Sequence, residues 1–395
     1  MLTWERVVKF SQDQTLSGVC DRAWVEIDLG ALGENVRQLR GLLSPETGFM
    51  AVVKADGYGH GAIPIAKTVL EAGATALGVA TVEEGIELRQ AGIEAPILVL
   101  GAVRTPPQVE ALVRWRLEPT LCDRPQAVLM AEIVGALAPD HPLPVHLKLD
   151  TGMSRLGVVW TEAVPFVRQV LDLPQLHLAS VYSHLATADE EDITMMRRQE
   201  ERFQGAIAAL KAAGITPPKL HLANSAATLC NPASHYDQVR VGLALYGLYP
   251  APHLRSQVTL QPVLQVKARI TQVKTLPPGT GVSYGHRFVT QRETRLAVVG
   301  IGYADGVPRL LSNRLQGLVQ EGDRVWRLPQ VGTITMDQLM LDATDGPEVQ
   351  VGDVVTLLGT LGEASISADD WAEALGTISW EILCGFKARL PRVRV

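Results

Sequence analysis

The sequence predicts an α/β protein made of an N-terminal (β/α)8 barrel of the TIM type and a mostly antiparallel β domain. Continuous apolar runs alternate with helical patterns from about Phe49 to about Gly247, which is typical of a parallel sheet covered on both faces. After about Gln261 the rhythm changes to β-branched segments with turn signals. The length of 395 residues suits one barrel of about 250 residues plus a smaller domain. We therefore predict a barrel over residues 22–260 and a β domain over 261–395.

Eight apolar runs are predicted as the barrel strands. They are FMAVV from Phe49, ALGVA from Ala76, ILVL from Ile97, EPTLC from Glu118, VHLKL from Val145, HLASVYS from His177, KLHLA from Lys219 and QVRVG from Gln238. Amphipathic patterns between them predict helices over residues 64–72, 82–90, 125–138 and 190–212. A further helix over residues 31–42 precedes the first barrel strand.

Four segments with little helical period predict the strands of the β domain. They are VLQVKARITQVKTL, TRLAVVGIGYADG, RVWRLPQVGTITMDQLML and VVTLLG. The segment 22–29 also reads as a strand, and the sequence leaves open whether it belongs to this domain or to the barrel. Residues 1–21 form an N-terminal extension to which the sequence assigns no role.

Composition and charge exclude several function classes. The formal net charge is -6 and there is no run of basic residues, which argues against a nucleic-acid partner. No stretch approaches the roughly 20 apolar residues of a membrane span, and the N-terminus lacks the apolar core of a signal peptide. The four cysteines are scattered without a CxxC pair, as in a reduced protein without structural zinc. We therefore expect a cytoplasmic protein with no metal and no membrane partner.

Polar side chains follow the ends of the predicted barrel strands, where barrel enzymes place their chemistry. They are Lys54, Tyr58, Lys148, Asp150, Arg155, His184, Asn224, Ser225 and Arg240, of which Lys148, Asp150 and Arg240 lie on their strands, and strand eight ends at Gly242. Lys54 closes the apolar run Met50–Val53, a position where a lone lysine would ordinarily reach solvent. The glycine-rich context KADGYGHG favours a functional role, since glycines allow close approach of a ligand and lysine forms Schiff bases.

The segment AVVKADGYGHG resembles the cofactor-lysine motif of the alanine racemases, which depend on pyridoxal 5'-phosphate (PLP). Further segments similar to that family follow in the family's order, from about Ala23 to about Arg394. They are LKLDTGMSRLGV, SHLATAD, HLANSAA, VRVGLALYG, GVSYGHRF, IGYADG and TITMDQ. One such motif would be weak, whereas seven in order with compatible spacing are highly specific.

The resemblance implies a racemase that interconverts L- and D-alanine by two-base exchange of the α-proton and supplies D-alanine for peptidoglycan. It implies a homodimer, with Tyr284 contributed in trans as one base and Lys54, which carries PLP as an aldimine, as the other. Arg155 and Met336 would contact the substrate carboxylate, and Lys148 would be carbamylated and orient Arg155. The implied cofactor-binding residues are Lys54, Tyr58, His184, Asn224, Ser225, Arg240, Gly242, Leu243 and Trp380.

These residue types suit the reaction. Racemisation needs an acid/base group on each side of the cofactor–substrate plane, and PLP serves as the electron sink. A free tyrosine has a pKa of about 10, so Tyr284 needs help, which the chain of His184 and Arg240 would give. Arginine stays charged and cannot accept a proton, so a pyridine nitrogen facing Arg240 remains unprotonated. That favours prompt reprotonation over side reactions.

Two positions depart from the family pattern. Trp380 stands where a phosphate-binding tyrosine is usual, and indole donates one hydrogen bond but accepts none. Thr333 stands where an arginine is common, which puts the usual charge network of the substrate entrance in doubt. We expect weaker cofactor retention or altered activity from Trp380.

Several other residues have both a functional and a structural interpretation. His221 is a satisfied core histidine or a partner of Arg240. Asp189 either lines the substrate entrance or is an exposed acid on a loop. Tyr303 either lines the same entrance or is a tyrosine packed on a strand. Asp337 orients a loop. The remaining candidates, for which structural or surface roles are expected, are His146, His177 and His286.

Competing functions remain open at this point. A racemase for another small amino acid, such as serine, or a weakly active PLP-binding homologue would carry the same motifs. PLP decarboxylases with this architecture place an acid where Arg240 stands, and PLP-binding proteins without activity resemble the barrel alone. A metal-dependent hydrolase using Lys148, His184 and His221 would need further ligands near strand one, where Lys54 and glycines stand.

Overall fold

The structure, a computed structural model, describes residues 22–395, and the predicted N-terminal extension, residues 1–21, lies outside the described residues. The chain forms two compact units. One is the continuous segment Asp28–Val263, and the other joins residues 22–27 to Leu264–Val395. The division thus falls three residues after the predicted boundary at 260, and residues 22–27 lie with the second unit.

Within residues 28–263, eight strands pair in parallel in the order β10-β2-β3-β4-β5-β6-β8-β9. Their bounds are β2 Gly48–Val52, β3 Ala76–Val79, β4 Ile97–Ala102, β5 Glu118–Leu121, β6 Leu143–Asp150, β8 Leu176–Tyr182, β9 Leu220–His221 and β10 Gln238–Val241, with the short β7, Val158–Val159, beside β6. The helices of this unit are α1 Leu29–Arg40, α2 Lys54–Tyr58, α3 Ala62–Glu71, α4 Val82–Gln90, α5 Pro106–Trp115, α6 Arg124–Leu137, α7 Ala163–Leu171, α8 Thr194–Ala212 and α9 Ser225–Cys230.

The predicted parallel barrel is confirmed. Its strands are buried almost throughout, β3 and β10 completely, as expected of a sheet with both faces covered. The barrel is nearly closed. The strands β9 and β10 do not form a regular β-ladder, and only individual backbone hydrogen bonds at and beside these strands join them. The Asp237 amide donates to the Leu220 carbonyl, and the Arg240 amide donates to the Ala223 carbonyl, each at 3.0 Å.

The second unit is a mostly antiparallel sheet, as predicted, in the order β16-β15-β18-β11-β1-β20. Its strands are β1 Ala23–Ile27, β11 Leu264–Leu276, β12 Gly281–Val282, β13 Phe288–Val289, β14 Thr294–Val299, β15 Gln316–Glu321, β16 Arg324–Pro329, β17 Leu339–Asp342, β18 Val354–Leu361, β19 Ala364–Ile366 and β20 Arg392–Arg394, and its helices are α10 Ala368–Leu375 and α11 Ser379–Cys384. The first half of β11 alternates between buried and half-buried residues, which places one face of this strand against the core.

The strand β1 belongs to this second sheet. It pairs antiparallel with β11, from Ala23 opposite Ala268 to Ile27 opposite Leu264, and parallel with β20 on its other side. The strand β1 therefore lies between β11, the first strand after Val263, and β20, the last described strand. None of the helices formed by residues 22–395 is both long and apolar enough to cross a bilayer.

Candidate active site

Lys54 lies at the carboxyl end of β2 and begins a strained turn. Ala55, Asp56 and Tyr58 adopt positive φ angles of 52°, 53° and 54°, in the left-handed region that residues with a Cβ usually avoid. Such strain persists only where the surroundings fix it, and it concentrates at functional sites. The segment after Lys54 therefore accepts a strained, less stable backbone in order to hold one specific conformation.

Two carboxylates hold this turn in place. Glu84 Oε1 accepts a 2.7 Å hydrogen bond from the Ala55 amide, and its other oxygen accepts one of 2.6 Å from the Ala80 amide. Asp56 Oδ1 accepts a 2.7 Å bond from the Ala62 amide. Hydrogen bonds to ionised acceptors are roughly twice as strong as neutral ones. Together they offset the cost of the left-handed backbone and fix the direction in which Lys54 leaves the strand.

Arg240 lies on β10, the strand that pairs with β2, and is buried. Its guanidinium donates to His221 Nδ1 at 3.0 Å and His184 Nδ1 at 3.3 Å, and to the Ser183 and Leu222 carbonyls at 2.7 and 3.1 Å. None of these partners, among the residues that the structure describes, is a carboxylate. Burial lowers the pKa of Arg240 to about 10, so the side chain still carries its charge at neutral pH.

The two histidines bonded to Arg240 are neutral at neutral pH. Burial and then the Arg240 charge lower the pKa of both His184 and His221 well below its ordinary value. A neutral imidazole accepts at one nitrogen and donates at the other. Because arginine only donates, Nδ1 is the acceptor in both rings and Nε2 carries the hydrogen. His184 thus presents an N–H donor, and Arg240 is held from two sides without being neutralised.

A small cradle of backbone and hydroxyl groups lies beside Arg240. The Gly242 amide donates to Ser225 Oγ at 2.9 Å, and the ring of buried Tyr58 packs on Tyr246 with 4.8 Å between centroids. Leu243 begins a buried 3-10 turn, Leu243–Tyr246. Asn224 caps α9 by accepting from the Ala227 amide at 3.1 Å. Amides and hydroxyls of this kind bind phosphate oxygens.

A methyl group does not fit at Gly242, because a Cβ there would lie 2.6 Å from Tyr58 Oη. We expect Gly242→Ala to displace the Tyr58 hydroxyl at a cost of about 1–3 kcal/mol. This corresponds to about five- to 150-fold weaker binding of PLP, measured by titration of the cofactor-free protein.

Gly135 in α6 provides the matched control. A Cβ there meets only the flexible Gln175 side chain, at 3.4 Å. Gly135→Ala should raise the free energy of unfolding by about 0.5–1 kcal/mol and leave PLP binding unchanged. Equal PLP affinity of the Gly242 variant and the wild type would show that this cradle does not bind the cofactor.

Lys148 is a buried lysine on β6 whose surroundings disfavour its charge. Burial, followed by the charges of Arg240 and Arg155, lowers the pKa of Lys148 to about 8. The ammonium group lies 5.2 Å above the Tyr182 ring, and the Arg240 guanidinium lies 5.1 Å from the same ring. Neighbouring cations of this kind favour conversion of the lysine to a neutral or anionic form.

Arg155 is exposed and lines a polar cavity of about 320 Å³ at the same end of the barrel. The cavity wall also includes Asp150 and the ion pair between Arg104 and Asp123, in which the nearest nitrogen and oxygen are 2.6 Å apart. Asp150 shapes the loop before Arg155 by accepting from the amides of Gly152 and Ser154. Asp189, further along the chain, is half-buried.

In the second unit, Tyr284 lies on a tightly bonded loop with 71% of its surface exposed. Thr333 Oγ1 donates to the Tyr284 carbonyl at 2.7 Å, and Ser283 Oγ donates back to the Thr333 carbonyl at 2.7 Å. Thr333 is buried, so it serves here as a short hydrogen-bonding support. The threonine thereby holds the backbone of Tyr284, a role that the sequence did not indicate.

Met336, 51% exposed, lies on a neighbouring loop of this unit. The amides of Tyr303 and Ala304 donate to the carbonyls of Thr335 and Met336, both at 3.0 Å. Tyr303 is 39% exposed. These bonds join the IGYADG and TITMDQ segments into one support for Met336.

A buried carboxylate anchors that support. Asp305 is fully buried, forms a bidentate pair with Arg22 and accepts from the Gly302 amide at 3.0 Å. Arg389 approaches Asp305 to 3.4 Å and binds Asp337 at 2.8 Å. Asp337 is thus tied to the core through Arg389. Trp380, half-buried, lies on α11 of the same unit.

Sequence reasoning did not single out Glu84 or Asp305 as contributors. Glu84 had a local signal, since Thr81 and Glu84 form a capping box at the start of α4. Asp305 lies in the IGYADG segment, but nothing in that segment indicated its partners Arg22 and Arg389, which are distant in the chain.

Comparison with known proteins identifies the family. A model of the alanine racemase N-terminal domain matches residues 27–250, and one of the C-terminal domain matches residues 263–394. An alanine racemase of a Nostoc species is 60% identical over 384 residues, which cover 97% of this chain and 98% of that protein. The chain belongs to the alanine racemase family.

Other alanine racemases extend this likeness. One from a Synechocystis species is 60% identical over 374 residues, covering 95% of this chain and 99% of its own length. The solved alanine racemase of Clostridium difficile 630 superposes with a TM-score of 0.89 at 34% identity, over 95% of this chain and 96% of that one. That of D-cycloserine-producing Streptomyces lavendulae gives 0.87 at 38% identity, over 95% and 97%. The resemblance drawn from the sequence motifs is confirmed.

Proposed function

We propose that this chain interconverts L- and D-alanine with PLP held on Lys54, using Lys54 and Tyr284 as its two acid/base groups. The observation that carries the proposal is the parallel pairing of β2, which leads into Lys54, with β10, which carries Arg240. The hydrogen-bond partners of Arg240 among residues 22–395 include no carboxylate. Lys54 can bind an aldehyde, and Arg240 cannot protonate a ring nitrogen. This combination suits racemisation better than decarboxylation.

The residues of the barrel unit fit PLP. Lys54 offers an amine, and the hydrogen bonds of Arg240 are all donated, as an acceptor ring nitrogen requires. Tyr58, Ser225 and the amides of Gly242 and Leu243 would hold the phosphate, with Asn224 fixing the start of α9. The family resemblance also implies Trp380 as a donor to the cofactor. When bound, PLP supplies an electron sink for the pair of electrons left at the α-carbon.

The proton moves between two side chains. Lys54 Nζ would take or return the α-proton on one face of the substrate, and the Tyr284 hydroxyl would do so on the other. We propose that Tyr284 acts on the site of a second copy of the chain, in a homodimer. Support comes from the exposure of Tyr284 and Met336, large side chains that a single chain leaves in solvent. His184, bonded to Arg240, would orient the tyrosine hydroxyl through its N–H.

The substrate carboxylate would be held by Arg155 and by the backbone around Met336. Lys148 as a carbamate would present an anion towards Arg155 and fix its direction. Asp189, Tyr303 and Asp337 would line the substrate entrance. We further propose that the enzyme works in the cytoplasm and that its D-alanine is used for peptidoglycan.

Carbamylation of Lys148 is testable by its pH dependence. Carbon dioxide adds only to the neutral amine, forming an N–C bond and releasing one proton. With a pKa of about 8, the neutral fraction of Lys148 rises as the pH rises through 8. At a fixed concentration of dissolved 13CO2, the carbamate signal in the 13C NMR spectrum should therefore grow over this range.

Two variants make that measurement specific. Lys148→Met should remove the carbamate signal, whereas Lys219→Met, at an exposed lysine of the same unit, should retain it. A spectrum without a carbamate in the wild-type protein at pH 9 would contradict the modification.

Chiral chromatography of L-alanine incubated with purified protein and PLP tests the function itself. We expect conversion to an equal mixture of the enantiomers, and the same mixture from D-alanine. L-serine, assayed in parallel, measures specificity. Binding of PLP without formation of D-alanine would refute the proposed activity.

A further inference from the structure

A continuous hydrogen-bonded chain of buried side chains connects Arg240 to a carboxylate at the opposite end of the strands. Arg240 bonds His221 at 3.0 Å, and His221 Nε2 bonds Ser180 Oγ at 2.8 Å. Ser180 Oγ bonds His146 Nδ1 at 2.6 Å, and His146 Nε2 bonds Glu118 Oε2 at 2.7 Å. One member comes from each of β10, β9, β8, β6 and β5, which are consecutive around the barrel.

The direction of every hydrogen in this chain is determined by its two ends. Arg240 can only donate, so His221 Nδ1 accepts and the hydrogen of the neutral ring is on Nε2. Ser180 Oγ accepts that hydrogen and has one of its own, which goes to His146 Nδ1. His146 then donates from Nε2 to the Glu118 carboxylate, which accepts only. Each of the four bonds has one donor and one acceptor, and no hydrogen is left over.

Burial makes this direction matter. Ser180 and His221 are 1% and 0% exposed, and His146 is 6% exposed, so water does not replace a lost partner. A buried donor or acceptor left without its bond costs about 1–3 kcal/mol. The Tyr182 ring stacks on His221 with 4.6 Å between centroids and 4° between planes, which fixes the ring plane as well. The chain therefore has one favoured arrangement.

We propose that Glu118 is a positioning residue, which fixes the tautomers of His146 and His221 and thereby the orientation of Arg240 towards the cofactor. The proposal rests on the proposed function for the role of Arg240. Removing the acceptor at Glu118 leaves the His146 N–H without a partner, so the ring gains by changing tautomer or turning. The reversed direction of the chain then competes, in which His146 Nδ1 donates to Ser180 and Ser180 donates to His221 Nε2. In the molecules that adopt it, the hydrogen of His221 is on Nδ1, and Arg240 loses a bond that holds it without neutralising it.

The first experiment is 15N NMR of the histidine side chains in cofactor-free protein, which does not depend on activity. In the wild type, His146 and His221 should each show hydrogen on Nε2 and none on Nδ1. Glu118→Leu and Ser180→Ala should each produce a mixture of tautomers at His221, whereas Glu118→Gln, which keeps an acceptor oxygen, should retain the wild-type pattern. Glu110→Leu, at an exposed glutamate of α5, is the matched control and should change nothing.

The second experiment is a double-mutant cycle on kcat in the PLP-loaded enzyme. We expect about a 10- to 100-fold loss for Glu118→Leu and for Ser180→Ala, by analogy with the loss seen when outer partners that orient metal-binding histidines are removed. The double variant should lose no more than the worse single variant, because a chain already broken at Ser180 no longer transmits Glu118.

The outcomes separate this inference from the proposed function. Unchanged His221 signals in Glu118→Leu, or losses of kcat that multiply in the double variant, would overturn the positioning role. Wild-type protein that fails to racemise alanine but shows the tautomer change on Glu118→Leu would refute the function and leave the control of Arg240 by Glu118 supported.

Discussion

Replacing Lys54 with alanine is expected to abolish racemisation, with a loss of at least about 10⁴-fold in kcat, the upper contribution of a single acid/base group. The variant loses two things at once, the amine that holds PLP and the group that exchanges the α-proton on one face. The measurements are chiral analysis of alanine and the visible absorbance of the bound cofactor. Formation of the other enantiomer and the absorbance of the bound cofactor should both disappear, while the far-UV circular dichroism spectrum of the folded protein is retained.

Lys67 offers a matched control, since it is an exposed lysine on the neighbouring helix α3. Lys67→Ala should keep full activity and full cofactor absorbance. Added methylamine should restore part of the proton transfer in Lys54→Ala, because it supplies the missing amine. Racemisation by Lys54→Ala at the wild-type rate would mean that another group holds the cofactor, and the proposed mechanism would be wrong.

Replacing Tyr284 with phenylalanine is expected to lower kcat for racemisation by about 10²- to 10⁴-fold. The change removes only the hydroxyl, and the ring remains on a loop held through its backbone by Thr333 and Ser283. Proton exchange on the face served by Lys54 should survive. The variant should therefore exchange the α-hydrogen of one enantiomer with deuterated water faster than it produces the other enantiomer.

This separation of exchange from racemisation distinguishes two bases from one. If Lys54 alone served both faces, Tyr284→Phe would lower exchange and racemisation to the same extent. The thermal midpoint of unfolding is the control for folding, and it should change little because the side chain is 71% exposed. Mixing Lys54→Ala with Tyr284→Phe protein should regain activity if each site takes its tyrosine from the other subunit.

Much of the barrel was predictable because its strands are short apolar runs and its helices are amphipathic. Every predicted barrel strand has its counterpart, and the segment 82–90 matches α4, Val82–Gln90, to the residue. The small differences have local causes. The run from Lys219 forms only the two-residue strand β9, because the chain turns into loop bonds with Asp237 and Ser234 there. The apolar pattern of the sequence does not show where regular hydrogen bonding between strands ends and such loop bonds begin.

The site was predictable in its residue types but not in its supports. The left-handed backbone of Ala55 and Asp56 has no signal in the sequence, since neither residue requires it. His146 was expected to have a structural or surface role, and the structure buries it between Ser180 and Glu118. The five members of that chain are spread over residues 118–240, and only the barrel's closure brings them together. Side-chain pairing across strands is a tertiary property that spacing cannot show.

The position of β1 has a consequence for the order of events during synthesis. The barrel unit, Asp28–Val263, is a continuous stretch that can complete its sheet as soon as β10 has left the ribosome. The second sheet cannot do so, because β1 from the start of the chain lies between β11 and β20, whose last paired residue is Arg394. Domains generally fold as units in the order in which they are made. The early strand β1 must therefore wait until β11 has been made before it can pair on one side, and its other edge stays open until Arg392–Arg394 of β20 have been made.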